Sequence, residues 1–228
     1  MITKLVKVAP SILSANQLRI VESIRQIEKA GADLVHIDII DGVFAPNLSF
    51  GPRFVKDLDA FTKLPLDIHM MIVNPLRFVS SFAEAGADYI SVHIEALDES
   101  SAKAFLKMST EFNFSPGFAL RPSSTEPSWL NSLLSDVKMV VPMSVEPGFS
   151  GQKFLPKTIV RIKKFQKIKN SLGLHYEIEA DGGVNFENAA LLYKNGVNIL
   201  VAGSAVFDSH NISEAIKKLK ATEARIVE

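Results

Sequence analysis

Four side chains of the kinds that bind divalent metal ions, His36, Asp38, His69 and Asp181, fall in or directly after short apolar runs, each read near the downstream end of its run. Two imidazoles and two carboxylates make a mixed nitrogen and oxygen donor set that suits one zinc, iron, manganese or cobalt ion. In Leu34-Val-His-Ile-Asp-Ile-Ile40 a strand period of two sends His36 and Asp38 to the same face. His69 lies in Leu66-Asp-Ile-His-Met-Met-Ile72, and Asp181 follows His175-Tyr-Glu-Ile-Glu-Ala180 just before Gly182-Gly183. A lone strand histidine is ordinarily a hydrogen-bonded core residue, whereas two histidines joined to two aspartates at strand ends read as a functional cluster. The chemistry expected of such a cluster is Lewis-acid assistance to a small substrate.

Positioning these residues takes several strands. Apolar or β-branched runs recur at 6–12, 34–40, 66–72, 89–94, 116–120, 139–145, 176–180 and 199–202. Between them lie stretches with helical spacing, such as Leu18, Val21, Ile24 and Ile27 before Gly31, or Phe78, Phe82 and Ala85 before Gly86. Lys29-Ala-Gly-Ala-Asp-Leu-Val and Glu84-Ala-Gly-Ala-Asp-Tyr-Ile repeat one theme of helix end, glycine turn and buried strand. Regular alternation implies parallel strands, and eight units close most naturally into an α/β single (β/α)8 TIM barrel over residues 1–228. In that fold the active site sits at the C-terminal ends of the strands, where the four residues are expected to meet.

Composition narrows the partners. Lys plus Arg and Asp plus Glu stand equal at 25 each, so no bulk positive charge is available for nucleic acid or an anionic membrane. The chain has no cysteine, which excludes disulfides, thiolate ligands and a thiol nucleophile. No run reaches the roughly 18 apolar residues of a membrane span, and the first seven residues do not read as a leader, so a soluble cytoplasmic protein is expected.

An anion must therefore be gripped locally. In such barrels phosphate is usually held by backbone amides of the loops after strands seven and eight, here Asp181-Gly-Gly183 and Ala202-Gly-Ser204. A third glycine-rich turn, Glu146-Pro-Gly-Phe-Ser-Gly-Gln152, follows strand six and could close over the same group.

Taken together, Ala9-Pro-Ser-Ile-Leu-Ser-Ala15, His36-Ile-Asp-Ile-Ile-Asp-Gly42, Phe44-Ala-Pro-Asn47, Asp67-Ile-His-Met-Met-Ile72, Met143-Ser-Val-Glu-Pro-Gly-Phe-Ser-Gly-Gln152, Asp181-Gly-Gly183 and Ala202-Gly-Ser-Ala-Val-Phe207 resemble, in order, the ribulose-phosphate 3-epimerase family. The resemblance implies a ribulose-phosphate-binding barrel that interconverts D-ribulose 5-phosphate and D-xylulose 5-phosphate in the pentose phosphate pathway. It implies one divalent metal ion per subunit on His36, Asp38, His69 and Asp181, with Asp38 and Asp181 as the acid and base pair. Ser11 and His69 would touch the substrate, and Gly148, Gly151, Gly182, Gly183, Gly203 and Ser204 would surround its phosphate. A homo-oligomer, dimer or hexamer, is implied as well.

Inverting C3 beside a ketone means removing a carbon-bound proton and returning one to the opposite face. Two carboxylates flanking a flat cis-enediolate can do this, one taking a proton while the other delivers its own. An ordinary aspartate, with a pKa near about 3.9, is too weak a base unless the product anion is stabilised, which is the metal's task. Met71 and Met143 are expected to face the cavity as an apolar, polarizable cover that excludes water.

The chain departs from the family's usual pattern at Ile40, Val43, Arg121 and Ser150, where methionine, histidine, asparagine and glycine are common. Ile40 keeps the wall apolar and Ser150 still offers its amide, but Arg121 brings a cation to the end of strand five. His93 with Glu95 and Asp67 are read as residues that orient ligands, and Asp41 before Gly42 as a turn former. Phe44-Ala-Pro-Asn47 is expected to be a loop near the mouth, as lid or connector, and the Lys163-Lys164 and Lys217-Lys218 pairs to be solvated helix faces. Rival readings are an epimerase for a six-carbon ketose phosphate such as D-allulose 6-phosphate, or a non-catalytic sugar-phosphate-binding barrel. A related decarboxylase is disfavoured because the Asp-x-Lys-x-x-Asp array is absent after Asp38.

Overall fold

The β-branched runs form eight parallel strands in a computed structural model that describes residues 6–222. Residues 1–5 and 223–228, on which part of the leader reading and the ends of the domain assignment fall, lie outside the described residues. The strands are β1 (Lys7–Pro10), β2 (Val35–Ile40), β3 (Leu66–Met71), β4 (Tyr89–His93), β5 (Ser115–Leu120), β6 (Met139–Pro142), β7 (Glu177–Asp181) and β8 (Ile199–Ala202). The intervening helices are α1 (Ile20–Lys29), α2 (Pro52–Asp59), α3 (Leu76–Glu84), α4 (Glu99–Glu111), α5 (Leu130–Leu133), α6 (Thr158–Leu172), α7 (Ala189–Lys194), α8 (Ser204–Phe207) and α9 (Ile212–Lys220).

From β2 to β8 each strand pairs with its sequence neighbour, β1 pairs with β8, and an isolated bridge between Ser11 and His36 joins the end of β1 to β2. The sheet thus curls into a nearly closed barrel, as the alternation of strands and helices required. Outward strand residues pack on the helices in the main core, Ile37, Ile68, Ile90, Phe118 and Ile178 among them. Inward residues form two smaller groups. Ala9, Ala119, Met139, Val141, Ile199 and Val201 plug the barrel, while Ile40, Ala45, Met71, Met143 and Val145 line its mouth.

Several boundaries differ from the expectation. Strands read as 6–12 and 139–145 stop at Pro10 and Pro142, since proline has no N–H to continue a ladder. The chain turns into a 3-10 turn over Ile12–Ser14, and again over Ile94–Ala96 after β4. β7 runs one residue further than read and takes in Asp181 itself. Leu18, counted on a helix face, is 97% exposed because it sits in a separate 3-10 turn, Gln17–Arg19, capped by Asn16, and α1 begins only at Ile20. Phe78 also points outward, and Val79 and Phe82 carry the buried face of α3. Among the described residues no helix is long and apolar enough to cross a membrane.

Candidate active site

His36 is the second residue of β2, well below the strand's end, while Asp38 stands two residues further up the same inward face. The reading that all four residues sit near strand ends is therefore corrected for His36: the cluster descends into the barrel. His69 is paired in register with Asp38, and Asp67 with His36, so β2 and β3 present four polar groups side by side. Asp181 ends β7 and completes the group across the barrel. All four predicted metal residues are buried.

The hydrogen bonds around the two imidazoles orient them. His36 Nδ1 lies 2.6 Å from Asp67 Oδ2, so the Nδ1–H donates to that carboxylate and Nε2 keeps its lone pair. His93 Nδ1 lies 2.9 Å from Glu95 Oε2 and donates to it, leaving His93 Nε2 to accept from His69 Nε2–H at 3.0 Å. That arrangement frees the lone pair of His69 Nδ1. These two nitrogens, His36 Nε2 and His69 Nδ1, are buried with no hydrogen-bond partner.

Both orphaned nitrogens face the aspartates. His36 Nε2 is 3.4 Å from Asp38 Oδ1, and His69 Nδ1 is 3.4 Å from Asp38 Oδ1 and 3.2 Å from Asp181 Oδ2. Donor atoms about 2.0–2.2 Å from one ion at tetrahedral angles stand about 3.3–3.6 Å apart. One ligand atom from each of the four residues lies within 4.8 Å of the others. Donor types, spacing and the two unpartnered lone pairs fit a divalent ion.

Electrostatics agrees with this. Burial opposes charge on both histidines, yet the adjacent carboxylates win, raising His36 well above the usual imidazole value and His69 to about 9, so an arriving cation would replace a proton on His36 Nε2 and on His69 Nδ1 to gain their lone pairs. The pocket attracts positive charge. Burial also opposes charge on Asp38, but His36 and His69 hold its carboxyl well below the ordinary range. His93, by contrast, is pushed down to about 4 by burial and by neighbouring His69, so it is neutral at physiological pH and suited to accept from His69.

Above the cluster lies a cleft with an empty volume of about 520 Å³, its open mouth included. Ser11, Asp38, Met71, Met143 and Asp181 form its floor and walls. Gly148, Gly151, Gly182, Gly183, Gly203 and Ser204 line it from three loops. His69, also expected to touch substrate, lies fully buried beneath and is not part of the lining. Ser11 Oγ donates to Asp38 Oδ2 at 2.7 Å. Ser144 Oγ bonds the carbonyls of Asp181 and Gly182, fixing the start of the seventh loop.

The glycines are needed where the loops crowd. A Cβ on Gly183, whose φ is +65°, would stand 2.5 Å from Phe154 N, and one on Gly203 would stand 2.2 Å from Ser14 Oγ. The Ser14 hydroxyl is itself buried, unpartnered and part of the cleft wall. Among the described residues no lysine or arginine lines the cleft, in keeping with an anion held by amides and hydroxyls.

Residues set aside as orienting or turn-forming also find places. Asp41 accepts from the backbone N–H groups of Val43, Phe44 and Val73, tying the β2 loop to the β3 loop. Ile40 stays in the apolar mouth, Ser150 lines the cleft, and Val43 points away from it. Arg121 is not on the cleft but against Phe44. Sequence reasoning gave no role to the Ser14 hydroxyl on the cleft wall or to buried Glu179, whose carboxylate lies 3.7 Å from His36 Nδ1. Burial and the Asp67 charge push Glu179 well above the ordinary carboxylate range. Alternation through Glu177, Glu179 and Asp181 was the available signal for Glu179.

A (β/α)8 barrel with a His2Asp2 cluster under a glycine-rimmed cleft defines a class of barrel enzyme acting on a small anionic substrate. A profile of the ribulose-phosphate 3 epimerase family matches residues 7–207. The ribulose-phosphate 3-epimerase of Bacillus subtilis is 40% identical over 220 residues, covering 96% of this chain and 100% of that protein. That of Synechocystis is 41% identical over 214 residues, covering 94% and 93%. The chain belongs to the ribulose-phosphate 3 epimerase family and is an enzyme of the epimerase class. Its barrel also superposes on KGPDC from Streptococcus mutans with a TM-score of 0.74 over 97% of this chain and 98% of that one, at 16% identity, a likeness of fold alone.

Proposed function

We propose that the enzyme interconverts D-ribulose 5-phosphate and D-xylulose 5-phosphate by two-base proton transfer at C3, as a step of the pentose phosphate pathway. The observation that carries the reading is the convergence of two unpartnered imidazole nitrogens and two carboxylates at the floor of a cleft rimmed by glycine loops. His36, Asp38, His69 and Asp181 would hold one divalent ion, and that ion supplies Lewis acidity toward the charge developing on the substrate's oxygens.

The chain's own groups do the rest. The amides around Gly183, Gly203 and Gly151, with the hydroxyls of Ser14 and Ser204, bind the phosphate and fix the sugar's orientation. Asp38 and Asp181 flank the bound ketose. One carboxylate takes the C3 proton, the other gives its proton to the opposite face of the enediolate, and the roles exchange in the reverse direction. Ser11 Oγ–H, donating to Asp38 Oδ2, orients the carboxylate so that Oδ1 faces the two imidazoles and Oδ2 is held by a residue of the cleft. Met71 and Met143 cover the reacting carbons and exclude water, so that the intermediate keeps its phosphate.

Coupled assays of metal-loaded protein with D-ribulose 5-phosphate and with D-allulose 6-phosphate test the reading. Turnover of the pentose phosphate with a kcat/KM at least about tenfold higher, about 1.4 kcal/mol in transition-state binding, is expected. A preference for the hexose phosphate would replace the substrate, and turnover of neither would overturn the proposal.

A further inference from the structure

Arg121, directly after β5, does not line the cleft. Its guanidinium instead lies over the ring of Phe44, 3.9 Å from the centroid, and its Nη2 donates to the Phe44 carbonyl at 2.6 Å. Phe44 in turn packs on His93, ring centroids 4.7 Å apart, and His93 meets His69 through the Nε2–Nε2 hydrogen bond, ring centroids 5.0 Å and planes 15° apart. A second route joins the same residues. The backbone N–H of Arg121 donates to Glu95 Oε1 at 2.7 Å, and Glu95 Oε2 accepts from His93. Arg161 holds the far side of the turn through the carbonyls of Arg121 and Ser124.

We propose that Arg121 is a positioning residue: it clamps Phe44 onto His93 and so fixes the β2 loop as the wall that keeps water from the outer face of His69. The loop is pinned at its base by the Asp41–Leu48 bridge and by Ser49, whose Oγ donates to Asp38 O and accepts from Ile40 N–H, and Phe44 packs beside the apolar mouth. Val43 and Leu48 on either side are 75% and 73% exposed, and Ala45 is the small apolar residue it buries. Its other ties are peripheral to Phe44: Asp41 at the start of the loop, and Asn47 Nδ2 donating to Gly148 O at 2.8 Å at its end. His93 is fully buried, with Phe44 on one side and His69 on the other. A cation stacked on a ring and a charge-assisted bond to that residue's carbonyl act together, because one planar guanidinium makes both. Lysine could keep the charge near the ring but not both contacts in that geometry.

The test is amide hydrogen exchange, read by mass spectrometry, on the metal-loaded full chain, comparing the parent with Arg121→Ala and Arg121→Lys. Arg121→Ala is expected to accelerate exchange across 43–48 by about tenfold or more, with Arg121→Lys between it and the parent, while strands β3 and β4 keep their protection. Unchanged exchange at 43–48, or acceleration confined to 121–126, would overturn the clamp and leave Arg121 serving its own turn. A second arm rests on the epimerase reading: Arg121→Ala lowers kcat about fivefold or more with KM held within about twofold, because Phe44 guards the metal side and not the phosphate. Faster exchange with unchanged kcat would refute the positioning role while leaving the contact. If the parent turns over no sugar phosphate, the epimerase reading fails and the exchange arm still decides the clamp.

Discussion

Asp67 never touches the cleft, yet replacing it should weaken metal binding. Its carboxylate accepts from His36 Nδ1–H at 2.6 Å with both side chains fully buried, so no water can substitute. Asp67→Leu, close in size, removes both charge and acceptor. His36 is then free to place its proton on Nε2, the atom that must offer a lone pair, and loses the basicity lent by the carboxylate. Losses of this kind are about 10–100-fold in metal affinity, or about 1.4–2.7 kcal/mol. The cost to the metal-free fold is offset in part, because Asp67 and Glu179 crowd one another and the Asp67 charge helps to hold Glu179 protonated. The two effects separate in one experiment. Zinc titration of stripped protein against a competing chelator gives the affinity, and melting with and without zinc gives the linkage. For a chain of this size about 1 kcal/mol moves the midpoint about 2–4 °C, so the zinc-induced rise should shrink by about 3–10 °C. Asp67→Asn, whose carbonyl can still accept from Nδ1–H, should fall between. An Asp67→Leu affinity within about threefold of the parent, about 0.6 kcal/mol, would refute the argument that this hydrogen bond prepares His36.

Asp38→Asn and Asp181→Asn, assayed at saturating metal, should each lower kcat by about 10²–10⁴-fold, the scale of a lost general acid or base, and calorimetry with substrate at the same metal level should show binding retained. His93 takes up a proton near about 6.5 when unfolded but only near about 4 when folded. Its contribution to stability is therefore present above pH 6.5 and lost as pH falls from 6.5 toward 4. Urea unfolding at pH 7 and pH 5 should show the loss in the parent shrinking by about 2 kcal/mol in His93→Gln; an equal loss in both would count against a buried neutral imidazole. Gly183→Ala sets a Cβ 2.5 Å from Phe154 N at a φ of +65°, which should cost about 1–3 kcal/mol in unfolding free energy and raise KM for the sugar phosphate.

Much of this site was legible because period-two alternation in a strand is rigid. Once Asp38 faces inward, His36 and Ile40 must do so too, and once His69 does, so do Asp67 and Met71. Eight alternating units then place all of them inside one barrel. What could not be read was depth and pairing. That Asp67 meets His36 rather than its own strand neighbour His69 depends on the β2–β3 register. Glu179 obeys the same alternation as Asp181, but a glutamate with two unpartnered oxygens in a barrel interior contradicts the usual cost of such burial, so composition argues against it. Leu18 fits a helical period and still faces solvent, since Asn16 caps a separate turn before α1 begins. Arg121 and Phe44 lie 77 positions apart and meet only when the loops after β2 and β5 fold over the same mouth.

The central claim, that two aspartates exchange protons at C3 across a metal-holding floor, is tested most directly by proton NMR of metal-loaded protein with D-ribulose 5-phosphate in D₂O. The account predicts D-xylulose 5-phosphate carrying deuterium at C3, with turnover abolished by chelation and restored by added divalent ion. Xylulose 5-phosphate that keeps its C3 proton through many turnovers, or an undiminished rate after chelation, would contradict it.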